Sequence, residues 1–312
     1  MKVQLLKARS AMMDYYLLDQ AKLSRPLSDE DIMLLSEQLC LSHGCKKSGV
    51  KSLLVVEPAD NHYSLAKVRF IHQSGKEVRL DGHGLQVAAT YLSRKHQLDE
   101  FHIRCMHADL FVKKHTSLSN NRQSFRIQIE PVSFQLKTLP MNYRQKLTLI
   151  NEPIPELSAD HLFIAIATPA PHVLSFVEEA DFLDADLARI GERANRDDQL
   201  FPEGVSVSFI LRTSPSELSL KTFEPGLGLT RPSGTAVCAA SLVHVLTGDG
   251  EPFSPIAVTH HCGIEHVVVH IEHQDGYWLE FIGSAELECY SCFKHADIAE
   301  GKVSQRQYVE PL

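Results

Sequence analysis

Two short stretches carry residue types that could move a proton. In "RLDGHGLQVAATYL", Arg79 to Leu92, Asp81 and His83 stand where a polar turn runs into an apolar helix. In "TRPSGTAVCAASLVHV", Thr230 to Val245, Ser233 and Thr235 stand at the matching point of a second turn and helix. A carboxylate whose pKa of ~3.9 is raised by burial becomes a useful general base. The same aspartate is also a good helix N-cap, worth ~1 kcal/mol, and the two roles are compatible. Ser233 needs a neighbouring base before its hydroxyl does chemistry, and none is adjacent in the sequence, so a helix-start role is the plainer reading. Arg231 offers a guanidinium two residues earlier. Cys238, about a turn and a half along the helix at ~100° per residue, is expected to face the core.

Two further clusters have metal-ligand spacing. "CYSC", Cys289 to Cys292, resembles half a zinc site, and "THHCGIEH" holds His260, His261, Cys262 and His266. Both fall in strand-like sequence, where alternation sends Cys289 and Cys292 to opposite faces, so no metal is expected.

The elements that must position these residues are mostly strands. "KSLLVVEP", "SLAKVRFI", "FHIRCM", "DLFVKKH", "SFRIQIEP", "LFIAIAT", "VSVSFILR", "LSLKTFE", "EHVVVHIEH" and "YWLEFIG" read as strands. Helical patterns are few: "SDEDIMLLSEQLCLSH" with Ser28 and Asp31 as an acidic capping box, "DADLARIGERAN", and the two helices that open at Asp81 and Ser233. This mixture argues for an α+β architecture. The helices after Asp81 and Ser233 look like copies of each other, each alanine-rich and apolar nearly all round, as a central buried helix would be. Between the halves, Glu130 to Leu147, with two prolines and little periodicity, reads as a linker.

The chain has 312 residues, 44% of them hydrophobic, enough for two domains with their own cores. A net charge of −8 without blocks of like charge gives no footprint for nucleic acid or an anionic membrane. No run approaches the ~20 apolar residues of a membrane span, and the start lacks a secretory signal pattern. Seven cysteines, an odd number, fit reduced thiols and a cytoplasmic location. A small metabolite remains the natural partner.

Several segments, in order, resemble the diaminopimelate epimerase family: "VRFIHQSGKEVRLDGHGLQVAATYL", "LFIAIATPAPHVLSFVEE", "LFPEGVSVSFI", "KTFEPGLGLTRPSGTAVCAA" and "WLEFIGSAELECY". The resemblance implies two pseudo-symmetric domains, each a sheet wrapped around a central helix, with the helix N-termini facing one cleft. Residues 1–131, completed by a closing strand near 286–293, would form the first domain, 132–285 the second, and 294–312 a tail that is a short helix or a flexible end. It also implies cofactor-free chemistry in which one thiol removes a proton from an amino-acid α-carbon and a second returns it from the other face. At those two positions this chain has Asp81 and Ser233. Where the family carries asparagines that grip the substrate, it has Met13, His83, Ala170 and Ser206, and Glu224 is followed by Pro225 in place of arginine. Gly82, Gly234 and Thr235 would keep the backbone nests that hold a carboxylate. A Gly-His turn is also similar to that of phenazine-biosynthesis-type isomerases of the same fold.

These readings converge on a cofactor-independent isomerase that moves a proton next to the carboxylate of a small amino or keto acid, with Asp81 as base and His83 as its polar partner. The alternative is a catalytically inactive relative that binds a metabolite or a partner protein. True diaminopimelate epimerase activity is disfavoured, since both thiols are replaced and the substrate-gripping amides are gone. A homodimer is a further implication of the resemblance.

Overall fold

In a computed structural model, residues 1–41, 50–72, 75–106, 108–115, 123–196, 199–230, 233–261, 263–272, 276–303 and 308–312 are described. They divide into two units, one formed by 1–127 with 283–312 and the other by 128–282.

In the first unit, β1 (Lys2–Ser10) turns through Ala11 and Met12 into β2 (Met13–Asp19). Helix α1 (Asp29–Leu41) precedes β3 (Val50–Glu57), which pairs parallel with β2. The expected cap is present: the Asp31 N–H donates to Ser28 Oγ at 3.1 Å. β4 (Ser64–His72) returns antiparallel, and β5 (Glu77–Val78) folds back on it. Helix α2 (Gly82–His96) then leads to β6 (Glu100–Cys105), parallel to β4, and β7 (Ala108–His115) and β8 (Ser124–Ile129) follow antiparallel. Parallel neighbours need a crossover, and α1 and α2 occupy the two crossovers.

The second unit repeats this scheme. After β9 (Glu152–Ile154), β10 (Ser158–Thr168) and β11 (Ala170–Phe176) pair antiparallel. Helix α3 (Asp184–Arg196) leads to β12 (Ser206–Ser214), parallel to β11. β13 (Glu217–Glu224) returns antiparallel with β14 (Gly228–Thr230) folded on it. Helix α4 (Gly234–Leu246) leads to β15 (Pro255–His260), parallel to β13, followed by β16 (Gly263–Glu272) and β17 (Gly276–Ser284). The likeness read between two helices thus extends to strand order, pairing sense and the short return strand ahead of each central helix.

Helices α2 and α4 are central in the literal sense: Gly82 to Ser93 and Gly234 to Val245 are buried. Exposure begins at their last residues, Leu246 on α4 and Arg94, Lys95 and His96 on α2, where the three basic side chains complement the helix dipole. Gly84 lets the start of α2 pack closely, since a Cβ there would lie 3.0 Å from the Leu54 and Phe70 side chains.

Two segments differ from the sequence reading. The expected linker is core: Leu136, Leu139, Met141 and Tyr143 are buried in the second unit's hydrophobic cluster. Its prolines and missing periodicity conceal these apolar anchors, since irregular chain can still bury alternate side chains. The expected tail is part of the first unit. After β18 (Glu286–Lys294), paired with β1, the chain forms α5 (Ala296–Ala299) and then β19 (Tyr308–Pro311), paired with β18. Ile298 and Val303 are buried in the first unit's core. Among the described residues, no helix is long and apolar enough to cross a membrane.

Candidate functional site

Asp81 caps α2. Its Oδ1 accepts from the His83 and Gly84 N–H groups at 3.1 Å each. From β2, the Tyr15 hydroxyl reaches the same carboxylate at 3.3 Å, and from β3 the Ser52 hydroxyl approaches at 3.5 Å. The Lys51 ammonium lies 3.6 Å away, with both side chains largely buried. Burial alone would push this carboxyl up, but Lys51, His83, the Gly84 N–H and the Tyr15 hydroxyl together outweigh it and hold Asp81 below the usual carboxylate value. This reverses the expectation of a raised pKa. The carboxylate is a satisfied anion, 4% exposed, and the first amides of α2 that would form a ligand nest are spent on it. His83 is fully buried, as is Gly82 beside it, and half-buried His72 is pushed down by burial and by Lys51. Met13 is buried at the start of β2, on the face that carries Tyr15 two residues on.

In the second unit, Ser233 caps α4, its Oγ accepting from the Ala236 N–H at 3.2 Å. No base adjoins Ser233 in sequence, but the fold supplies a chain of polar atoms. Ser233 Oγ lies 3.0 Å from Thr235 Oγ1, which lies 3.1 Å from His172 Nε2. The Thr168 hydroxyl donates to the Thr235 carbonyl at 3.0 Å. Register explains the gathering: Thr168 faces Ala170 across β10 and β11, and His172 faces Ser206 across β11 and β12. One pair beyond Val207 and Phe223, Ser206 opens β12 and Glu224 closes β13. Ala170 and Ser206 are half-buried, whereas Glu224, Gly234 and Thr235 are buried. His172 is fully buried, and desolvation pushes it down to about 3, so its ring is neutral.

Met13, Asp81, Gly82 and His83 therefore sit in the first unit, and Ala170, Ser206, Glu224, Ser233, Gly234 and Thr235 in the second. Sequence reasoning missed Tyr15, Lys51, Ser52, Thr168 and His172. Of these only His172 carried a signal, as the end of the "TPAPH" turn. Cys238 is core as expected, its thiol pushed up by burial and by Glu265. Cys289 is half-exposed and Cys292 buried, three residues apart on β18. Among the described residues no group of three His, Cys, Asp or Glu side chains could hold a metal. Arg231 and Cys262 lie outside the described residues.

No family model matches the chain. Whole-length relatives do. It is 37% identical over 290 residues to the diaminopimelate epimerase of Lactiplantibacillus plantarum, covering 91% of this chain and 87% of that one. Against the diaminopimelate epimerase of Enterococcus faecalis it is 35% identical over 287 residues, covering 92% and 88%. The chain belongs to the diaminopimelate epimerase family. Solved structures share its fold at low identity. A hydroxyproline epimerase from Agrobacterium vitis matches with TM-score 0.64 at 12% identity, over 93% of this chain and 92% of that one. A phenazine biosynthesis protein from Bacillus anthracis matches with TM-score 0.65 at 13% identity, over 94% and 99%. Within this epimerase family and fold, the residues that cap the two central helices here are an aspartate locked in an ion pair and a serine on a neutral hydrogen-bonded chain.

Proposed function

We propose that this member of the family binds a small amino or keto acid without inverting it. At the two positions that the resemblance assigns to catalytic thiols the chain has Asp81 and Ser233, so the matched acid and base of two-sided proton transfer are absent. The observation that carries this reading is the saturated state of Asp81. A carboxylate that accepts two backbone N–H groups and a phenol, beside a lysine ammonium, is a weak base towards a carbon acid. The His172 ring, linked to Ser233 only through the Thr235 hydroxyl, is too weakly basic to activate it.

A second reading is an isomerase with Asp81 as its single base and His83 as polar partner. Identity to named epimerases spread over nine-tenths of the chain favours it. Proton loss and return on one face, or a shift along the molecule, would then replace inversion.

The two readings separate by deuterium wash-in. Diaminopimelate isomers, proline, hydroxyproline and their keto acids are incubated with the protein in heavy water and followed by NMR, with binding read by calorimetry. Binding without exchange at the α-carbon is expected. Exchange abolished by Asp81→Asn would establish the isomerase instead, and rescue of a strain lacking the epimerase would establish epimerase activity.

A further inference from the structure

The hydrogens along the chain from His172 to Ser233 can be counted. A neutral imidazole brings one, and the Thr235 and Ser233 hydroxyls bring one each. Running head to tail they can point in two directions; a third arrangement, in which Thr235 Oγ1 accepts from both neighbours, leaves the buried Thr235 hydroxyl hydrogen with no acceptor among the described residues. If Ser233 donates to Thr235 and Thr235 to His172 Nε2, the ring hydrogen must sit on Nδ1. That atom is buried and has no hydrogen-bond partner among the described residues, so the arrangement buries an orphan N–H. If the ring hydrogen sits on Nε2, it donates to Thr235 Oγ1, and Thr235 donates to Ser233 Oγ. The orphan is then an acceptor lone pair, which folded proteins tolerate more readily than an orphan N–H. A doubly protonated ring is excluded by its burial.

We infer that His172 fixes a one-way hydrogen-bond chain, from ring Nε2–H through the Thr235 hydroxyl to Ser233 Oγ, which presents the Ser233 hydroxyl hydrogen to an acceptor oxygen of the ligand. Ser233 Oγ then accepts twice, from Thr235 and from the Ala236 N–H, and only its own hydrogen remains to be shared. This inference rests on the ligand-binding reading above and sharpens it. The Ser233 end takes a carboxylate or carbonyl oxygen and rejects an ammonium group. Ser233 is a donor and His172 a positioning residue that acts through Thr235. The opposite direction would make Ser233 a nucleophile whose proton leaves towards the ring, so the two directions predict different chemistry at one oxygen.

Both can be read on the whole protein without a ligand. Two-bond proton–nitrogen NMR on chain labelled with nitrogen-15 histidine reports the tautomer. The His172 signals are assigned by their loss in His172→Gln or, if that variant fails to fold, by their displacement in Thr235→Val. A neutral Nε2–H ring, unchanged between about pH 5.5 and 8, is expected; an Nδ1–H ring or an imidazolium overturns the inference. A fluorophosphonate probe followed by peptide mass spectrometry should leave Ser233 unmodified, and stoichiometric labelling there overturns it. Deuterium wash-in, which judges the proposed function, leaves both readouts unchanged, so the two can fail separately.

Discussion

The value of Asp81 to this protein is set by Lys51. Asp81→Asn removes the negative charge that faces the mostly buried Lys51 ammonium, and unfolding in urea should show a loss of about 3 kcal/mol. The pH dependence follows from the direction of the shift. The folded carboxyl titrates below its unfolded value, so its contribution is complete above about pH 4 and is lost as pH falls through the folded value. Asp81→Asn should flatten that acid limb. His172 acts in the same direction in a different window. The unfolded ring takes a proton near pH 6.5 while the folded ring stays neutral down to about 3, so stability declines as pH drops between those values. His172→Gln should remove that decline in acid denaturation curves. An aspartate before a glycine and an apolar run was legible as a cap. That burial would lose to its neighbours was not, because Lys51, Ser52 and Tyr15 arrive from other strands, and no spacing in the chain announces them.

Elements were legible where periodicity was strong and hidden where the chain is irregular. The alternation in β4 and the all-round apolar character of α4 read directly. β9 and β14, three residues each, are too short to show a period. The turn between β1 and β2 has positive φ at Ala11 and Met12, 46° and 60°, a conformation that favours Asn-Gly. Replacing the pair by Asn-Gly should raise thermal stability by about 1 kcal/mol. Gly191 on α3 shows the opposite sensitivity. A Cβ there would stand 2.2 Å from Phe223 Cγ, on the strand that ends at Glu224. Gly191→Ala should therefore cost about 3 kcal/mol in the same measurement by pushing α3 off β13.

At the scale of the whole molecule, the internal repeat was visible only through its two central helices. Strand order made it complete, because pairing sense is a property of distant partners that one sequence does not display. The first unit takes its last strands from the end of the chain: β18 lies on β1, β19 on β18, and Ile298 and Val303 fill the core beneath α1. Removing residues 295–312 should cost about 4 kcal/mol from these two side chains alone, read as a lowered urea midpoint. The same arrangement orders events on the ribosome. The segment 128–282 is made before β18 leaves the exit tunnel, whereas β1, made ahead of that segment, waits for a partner made after it. Nascent chains stalled after residue 282, once clear of the tunnel, should resist protease across 128–282 while the amino-terminal portion is still cut. Of the two units, the one begun earlier is the one completed later.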